Sequence, residues 1–165
     1  MKKGFTLIEL LIVIALLGAL AVGLLATIDP FEQLKKGRDT SLRNTVAEFY
    51  NANLRYYSTK GAFPWNIGGS TTLDAEQVSD MEPTVDLLVA AGELKNRFME
   101  LAGTANLAKV FVTSTADENL VVCYRPESKS FQVDPATQYD DNGTAVADCK
   151  SATPPGVNDC YFCIQ

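Results

Sequence analysis

The strongest constraint on this chain is an apolar run of 24 residues near its N-terminus, from Phe5 to Ile28. At about 1.5 Å per residue, the run predicts a helix of roughly 36 Å, enough to cross a hydrocarbon core about 30 Å thick. Lys2 and Lys3 precede it and favour a cytoplasmic N-terminus, with the remainder of the chain sent across the membrane. An ordinary membrane anchor or an uncleaved signal peptide would fit these features. Neither explains Glu9, a single acid inside the run.

The rest of the chain has the composition of one small soluble domain. The full sequence has 165 residues, and from Asp29 onward it carries 19 acidic and 12 basic side chains. The net negative charge of the domain as a whole repels the phosphates of nucleic acid, which disfavours such binding.

Histidine is absent from the sequence, which restricts the available chemistry. Catalysis by Ser-His-Asp or Cys-His groups is excluded, and so is any histidine metal ligand. A carboxylate pair, a Ser–Lys dyad or a thiol would have to act instead, and no spacing singles out such a set. We therefore predict that the protein is not an enzyme and has no cofactor.

The cysteines lie together in the last 43 residues: Cys123, Cys149, Cys160 and Cys163. An even number in a domain that the charge asymmetry places outside the cytoplasm predicts two disulfides. Structural zinc and free thiols are the alternatives. Three pairings are open, and we favour Cys149–Cys160 with Cys123–Cys163, because residues 160 and 163 would point to opposite faces of a strand.

A short motif precedes the apolar run: Lys2-Lys3-Gly4-Phe5-Thr6-Leu7-Ile8-Glu9. It resembles the prepilin signal of type IV pilins and of the pseudopilins of type II secretion and DNA-uptake systems. The resemblance implies that a membrane-embedded prepilin peptidase cleaves between Gly4 and Phe5 and then N-methylates Phe5. The apolar helix would remain on the processed protein.

The physical cost of Glu9 favours the same interpretation. A carboxylate well inside a spanning helix costs about 2.5–3.5 kcal/mol on insertion scales, and less near an end. Cleavage after Gly4 would create a positive amine at Phe5, one helical turn away, and a neighbouring subunit would offer the same amine. We therefore predict that Glu9 is an assembly residue that pairs with such an amine. The alternative is that Glu9 only reaches the membrane interface.

Helical periodicity continues beyond the apolar run, after a bend or restart at Asp29-Pro30. An apolar stripe predicts an amphipathic helix to about Ser58: Phe31, Leu34, Leu42, Val46, Phe49, Leu54 and Tyr57. The opposite, polar face includes Lys35, Lys36, Arg38 and Asp39. It is either solvated or in contact with anionic lipid or neighbouring subunits.

The predicted organisation has four parts: leader 1–4, transmembrane and assembly helix 5–28, amphipathic continuation 29–58, and head 59–165. In the head, residues 71–80, 84–91 and 95–101 are predicted helices, and Phe63 and Trp65 are expected to pack on the core. Strands are predicted near Val110–Thr113, Asn119–Arg125 and Ser130–Val133, joined as an antiparallel meander. The fold class is therefore α+β and pilin-like, with a disulfide-tied C-terminal loop.

The acidic loop near residue 140 is a weak calcium candidate. Gln138, Asp140 and Asn142 follow the spacing of a calcium loop, but the first acid and the closing glutamate are missing. Secretion pseudopilins are similar in having a calcium site in a C-terminal loop. We favour a solvated acidic turn here, with calcium at Asp140 and Asn142 as the alternative.

The predicted function is that of a structural subunit of a type IV pilus or pseudopilus, serving adhesion, motility, DNA uptake or secretion. Its partners would be copies of itself, other pilin-like subunits, prepilin peptidase, the assembly machinery and the membrane. The precursor would span the inner membrane once, and the assembled form would reach the periplasm or cell surface. The alternative is a membrane-anchored binding domain that never polymerises.

Overall fold

The computed structural model describes residues 4–27, 29–66, 72–115, 119–146 and 160–165. Along the chain it divides into two compact units at Leu34 and Lys35. The fold class is the predicted one: a long apolar helix at the N-terminus, then an antiparallel sheet with a disulfide.

The first unit contains helix α1, Leu7–Thr27, and the start of helix α2, Pro30–Lys60. Pro30 opens α2 instead of kinking one continuous helix, so the predicted restart is the observed arrangement. The Asp29 carboxylate accepts hydrogen bonds from the backbone N–H groups of Phe31 and Glu32 at 3.1 and 3.3 Å. An aspartate cap followed by proline in the first turn is a common way to begin a helix.

The second unit contains most of α2 and five strands: β1, Leu73–Gln77; β2, Val110–Ser114; β3, Leu120–Tyr124; β4, Thr137–Tyr139; and β5, Tyr161–Ile164. Their order in the sheet is β1-β2-β3-β5-β4, with every pair antiparallel. Short helices complete the described part: α3, Glu82–Ala90; α4, Phe98–Ala102; α5, Thr104–Leu107; and α6, Lys129–Gln132.

The main core lies between α2 and one face of the sheet. Leu42, Val46 and Phe49 of α2 are buried in the same cluster as Val112 and Val122 of β2 and β3. The predicted apolar stripe is covered only in part: Leu42, Val46 and Phe49 are buried, whereas Phe31, Leu34 and Leu54 are exposed.

The opposite face of the sheet holds the disulfide between Cys123 of β3 and Cys163 of β5. This agrees with the favoured pairing. Cys160 is disulfide-bonded as well, whereas Cys149 lies outside the described residues.

Two predictions of secondary structure are wrong. Residues 73–77 form strand β1 instead of a helix, because Asp74 and Glu76 alternate with half-buried neighbours and the segment pairs with β2. Residues 129–132 form helix α6 instead of a third strand. The neighbour of β3 is therefore β5, and the predicted meander is limited to the β2–β3 hairpin.

Asp39 was expected on the polar face of its helix but is fully buried. Its Oδ1 accepts the backbone N–H of Glu127 at 2.9 Å. Its Oδ2 accepts the backbone N–H and the hydroxyl of Ser128 at 2.8 and 2.5 Å. The carboxylate therefore joins α2 to the segment between β3 and α6.

We expect Asp39→Asn to lower the free energy of unfolding by about 3 kcal/mol, because an amide offers one acceptor where three donors converge. The measurement is urea unfolding of the full-length protein in detergent, followed by the fluorescence of Trp65, the single tryptophan. Asp86→Asn, at an exposed position of α3, is the matched control and should change stability by less than about 0.5 kcal/mol. Equal effects of the two variants would contradict the role of Asp39.

A second prediction concerns Gly143, whose φ is +78°. A Cβ at this position would lie 2.4 Å from Cγ1 of Val121, whereas one at Gly92, with φ of +79°, would meet nothing within 4 Å. Gly92→Ala should cost about 1 kcal/mol for its backbone conformation alone. Gly143→Ala should cost about 2 kcal/mol more, because Val121 must move. The same urea titration measures both, and equal costs would show that the Val121 contact tolerates the added methyl group.

Candidate functional site

The candidate site is the start of α1, where the motif meets the apolar helix. Gly4, Phe5 and Thr6 precede the first helical residue, Leu7. Every side chain described from Phe5 to Leu25 is exposed. A helix that is apolar all round requires lipid or other helices to cover it. Among the described residues, Leu7–Leu25 is the one helical stretch long and apolar enough to span a membrane.

Gly4 and Phe5 lie before α1, outside any helix or strand, and both are exposed. A Cβ added to Gly4 would meet nothing within 4 Å, and the described part of the chain gives Gly4 no positive φ. Packing within the protein therefore does not require glycine at this position. The Phe5 ring is 87% exposed.

Glu9 is hydrogen-bonded to Thr6 at the first turn of α1. The backbone N–H and the hydroxyl of Thr6 donate to Oε2 of Glu9 at 2.8 and 2.7 Å. In return, the backbone N–H of Glu9 lies 3.3 Å from the Thr6 hydroxyl oxygen and donates to it. This reciprocal arrangement is a capping box, which satisfies backbone donors that a helix start otherwise leaves unpaired.

The capping box changes how the lone acid is explained. Glu9 has a partner within its own chain, so its carboxylate does not enter an apolar environment without hydrogen bonds. A negative side chain in the first turn also interacts favourably with the helix dipole. Both bonds from Thr6 go to Oε2, and an ionised carboxylate has about four lone-pair positions. The group can therefore keep its cap and still accept a further donor.

Thr6 is a site residue that the sequence reasoning missed. The signal was present, since a threonine followed three residues later by glutamate, at the start of an apolar run, is the pattern of a capping box. Both residues lie after the predicted cut between Gly4 and Phe5, so processing there would leave the box intact.

The calcium candidate lies in a turn that is held by its own hydrogen bonds. Oδ1 of Asp140 accepts the backbone N–H groups of Asn142 and Thr144 at 3.0 and 2.7 Å. The amide of Asn142 donates to Asp141 at 3.1 Å. Within the described segments, no group of three or more acidic or cysteine side chains is placed to hold a metal ion. Calcium binding at Asp140 and Asn142 stays a prediction.

Residues 1–25 match the family model described as the prokaryotic N-terminal methylation motif. This is the type IV prepilin-like motif, and it supports a pilin-like or pseudopilin precursor. It implies processing by prepilin peptidase and assembly with pilin-like subunits in general, and it suggests a structural protein more than an enzyme. The apolar helix fits a single-pass membrane anchor. No curated protein and no solved structure gave a significant match.

The capping box predicts that Thr6→Val loosens the first turn of α1, since valine keeps the branched shape but removes the hydroxyl. Amide hydrogen exchange at Glu9 and Leu10, whose N–H groups donate to Thr6, should become about fivefold faster, which corresponds to the loss of a cap worth about 1 kcal/mol. The measurement is exchange in detergent micelles, with Thr6→Ser as the control that keeps the hydroxyl. Unchanged exchange in Thr6→Val would show that the cap contributes nothing in the micelle.

Proposed function

We propose that this protein is a structural subunit of a type IV pilus or pseudopilus that polymerises through its N-terminal helix. The observation that carries the proposal is the prepilin-type motif, Gly4 to Glu9, at the head of a helix whose apolar surface the described chain leaves exposed. A soluble domain would have to cover such a helix, and in a simple anchor the acid would serve only as part of the helix cap. A bundle of identical helices would cover the apolar surface and use the acid.

Processing would occur between Gly4 and Phe5, followed by N-methylation of Phe5. Both residues are exposed and lie outside any helix or strand, which supports access by a peptidase. Because no contact within the described chain requires glycine at position 4, the need for a small residue there would come from the enzyme.

In the assembled fibre, Glu9 would accept a hydrogen bond from the Phe5 amine of a neighbouring subunit. The Thr6 cap supports this role by orienting the carboxylate before assembly, so that less conformational entropy is lost on pairing. In a packed bundle the pair would neutralise both charges and fix the axial register of adjacent subunits.

The head would lie outside the cytoplasm, in the periplasm or at the cell surface after assembly. Lys2 and Lys3 support this orientation through the positive-inside rule. The disulfides of Cys123, Cys160 and Cys163 support it too, since such bonds persist in oxidising compartments.

The test is co-expression with a prepilin peptidase and the matching assembly system, with N-terminal mass spectrometry of sheared filaments. We expect a mature N-terminus at N-methyl-Phe5 in the wild type. Filaments that retain Met1 or Lys2 would overturn the proposal.

Glu9→Ala should still be inserted and processed, but the number of filaments should fall by a factor of about ten or more. The reason is that the amine of the neighbouring subunit would be buried without its partner. Glu32→Ala, which removes a carboxylate from the first turn of α2, is the control and should assemble normally. If Glu9→Ala assembled as well as the control, the role of Glu9 in pairing subunits would be overturned. Wild-type protein that is inserted but never forms filaments would favour the alternative, a membrane-anchored binding domain.

A further inference from the structure

The second unit carries a groove of about 540 Å³ whose lining is mainly cationic. We call it the basic groove, and it is lined by Lys35, Lys109, Arg125, Pro126, Glu127, Lys129 and Gln132. Four of the twelve basic residues found after Asp29 therefore face one concave surface, beside a single carboxylate. The rest of this region is strongly acidic.

The carboxylate in the basic groove is held by surrounding cations. Glu127 is paired with Lys109, and it lies 3.5 Å from the guanidinium of Arg38. The hydrogen bond from Lys109, with the nearby charges of Arg38 and Lys35, holds the pKa of Glu127 below its usual value. Lys35, Arg125 and Lys129 also have interactions within the protein. The four cations of the lining outnumber its one carboxylate, so the net positive charge of the groove would attract an anion.

The basic groove is formed before any ligand arrives. Asp39 fixes the backbone of Glu127 and Ser128 from the buried side. The side-chain amide of Gln132 donates to the carbonyl of Pro126 at 3.1 Å. A preformed concave site loses little entropy on binding a small ligand.

We propose that the basic groove binds the phosphodiester headgroup of an anionic phospholipid at the membrane surface. Lys35 follows Ile28, the end of the apolar run, by seven residues, and seven residues span at most about 25 Å. Chain connectivity thus limits the distance between Lys35 and the end of the apolar run to about 25 Å. A basic residue close to a membrane surface that carries anionic lipid is attracted by about 1 kcal/mol, and the attraction falls off within a Debye length.

The same observations disfavour other polyanions. An extended nucleic acid would also meet the acidic remainder of the head, which would repel it. A single headgroup is small enough to enter the basic groove and contact the cations alone. The binding would orient the head of the membrane-resident precursor before polymerisation.

The test uses the full-length protein, one copy per lipid nanodisc, with phosphatidylcholine alone or mixed with phosphatidylglycerol. Acetylation rates of individual lysines, read by mass spectrometry, report which side chains are covered. Lys35, Lys109 and Lys129 should react about fivefold more slowly in the anionic discs, the factor that one basic residue contributes at an anionic surface. Lys60 and Lys95, outside the basic groove, are internal controls and should not change.

Lys129→Gln should reduce the protection of Lys35 and Lys109, whereas Lys95→Gln should leave it intact. High salt should remove the protection, since charges are screened within about 3 Å at 1 M. Equal protection in the two kinds of disc, or equal protection of Lys60 and Lys95, would overturn the proposal. Protection in phosphatidylcholine discs on addition of inorganic phosphate, or of duplex DNA, would also overturn it. So would protection that appears only in a second preparation with two copies of the protein per disc.

This inference rests on the membrane anchorage in the proposed function but not on polymerisation. The nanodisc holds a single unassembled chain, so Glu9→Ala should keep full lysine protection even where it prevents filament formation. The two proposals can therefore fail separately.

Discussion

The buried carboxylate of Asp39 is the interaction on which the geometry of the head most depends. It satisfies three donors from Glu127 and Ser128, and so connects α2 to the chain that leaves β3. Apolar packing between α2 and the sheet is strong but has no direction, and several helix positions could satisfy it. The hydrogen bonds of a buried carboxylate fit only a narrow range of helix positions, since a shift of the helix would leave the charge buried and unpaired. Asp39 therefore sets which position is adopted.

The sequence predicted the parts of the fold that depend on local pattern. The apolar run, the break before Pro30, the helix containing Pro83 and the β2–β3 hairpin are all where periodicity and turn residues indicated. The failures depend on partners distant in the chain. Residues 73–77 are a strand because β2 lies beside them, and Asp39 is buried because residues 127 and 128 reach it. Neither partner is visible in a short window of sequence.

The candidate site was predictable for a different reason. Its residues lie within six consecutive positions, so their closeness along the chain is enough to bring them together. The pattern nevertheless suggested a carboxylate without a local partner, and the structure shows it capped by Thr6. A carboxylate that already accepts two hydrogen bonds from Thr6 keeps lone pairs for a further donor. The basic groove lay beyond such reasoning, because Lys35, Lys109 and Lys129 come from three separate segments.

The position of β5 has a consequence for how such a head is made. Residues 161–164 lie inside the sheet, between β3 and β4, and the described pairing of β4 is with β5 alone. More than nine-tenths of the head, residues 59–165, is synthesised before β5, so the sheet cannot close until then. Closure of the sheet and formation of the Cys123–Cys163 bond both require β5. A chain that ended before residue 161 could therefore do neither.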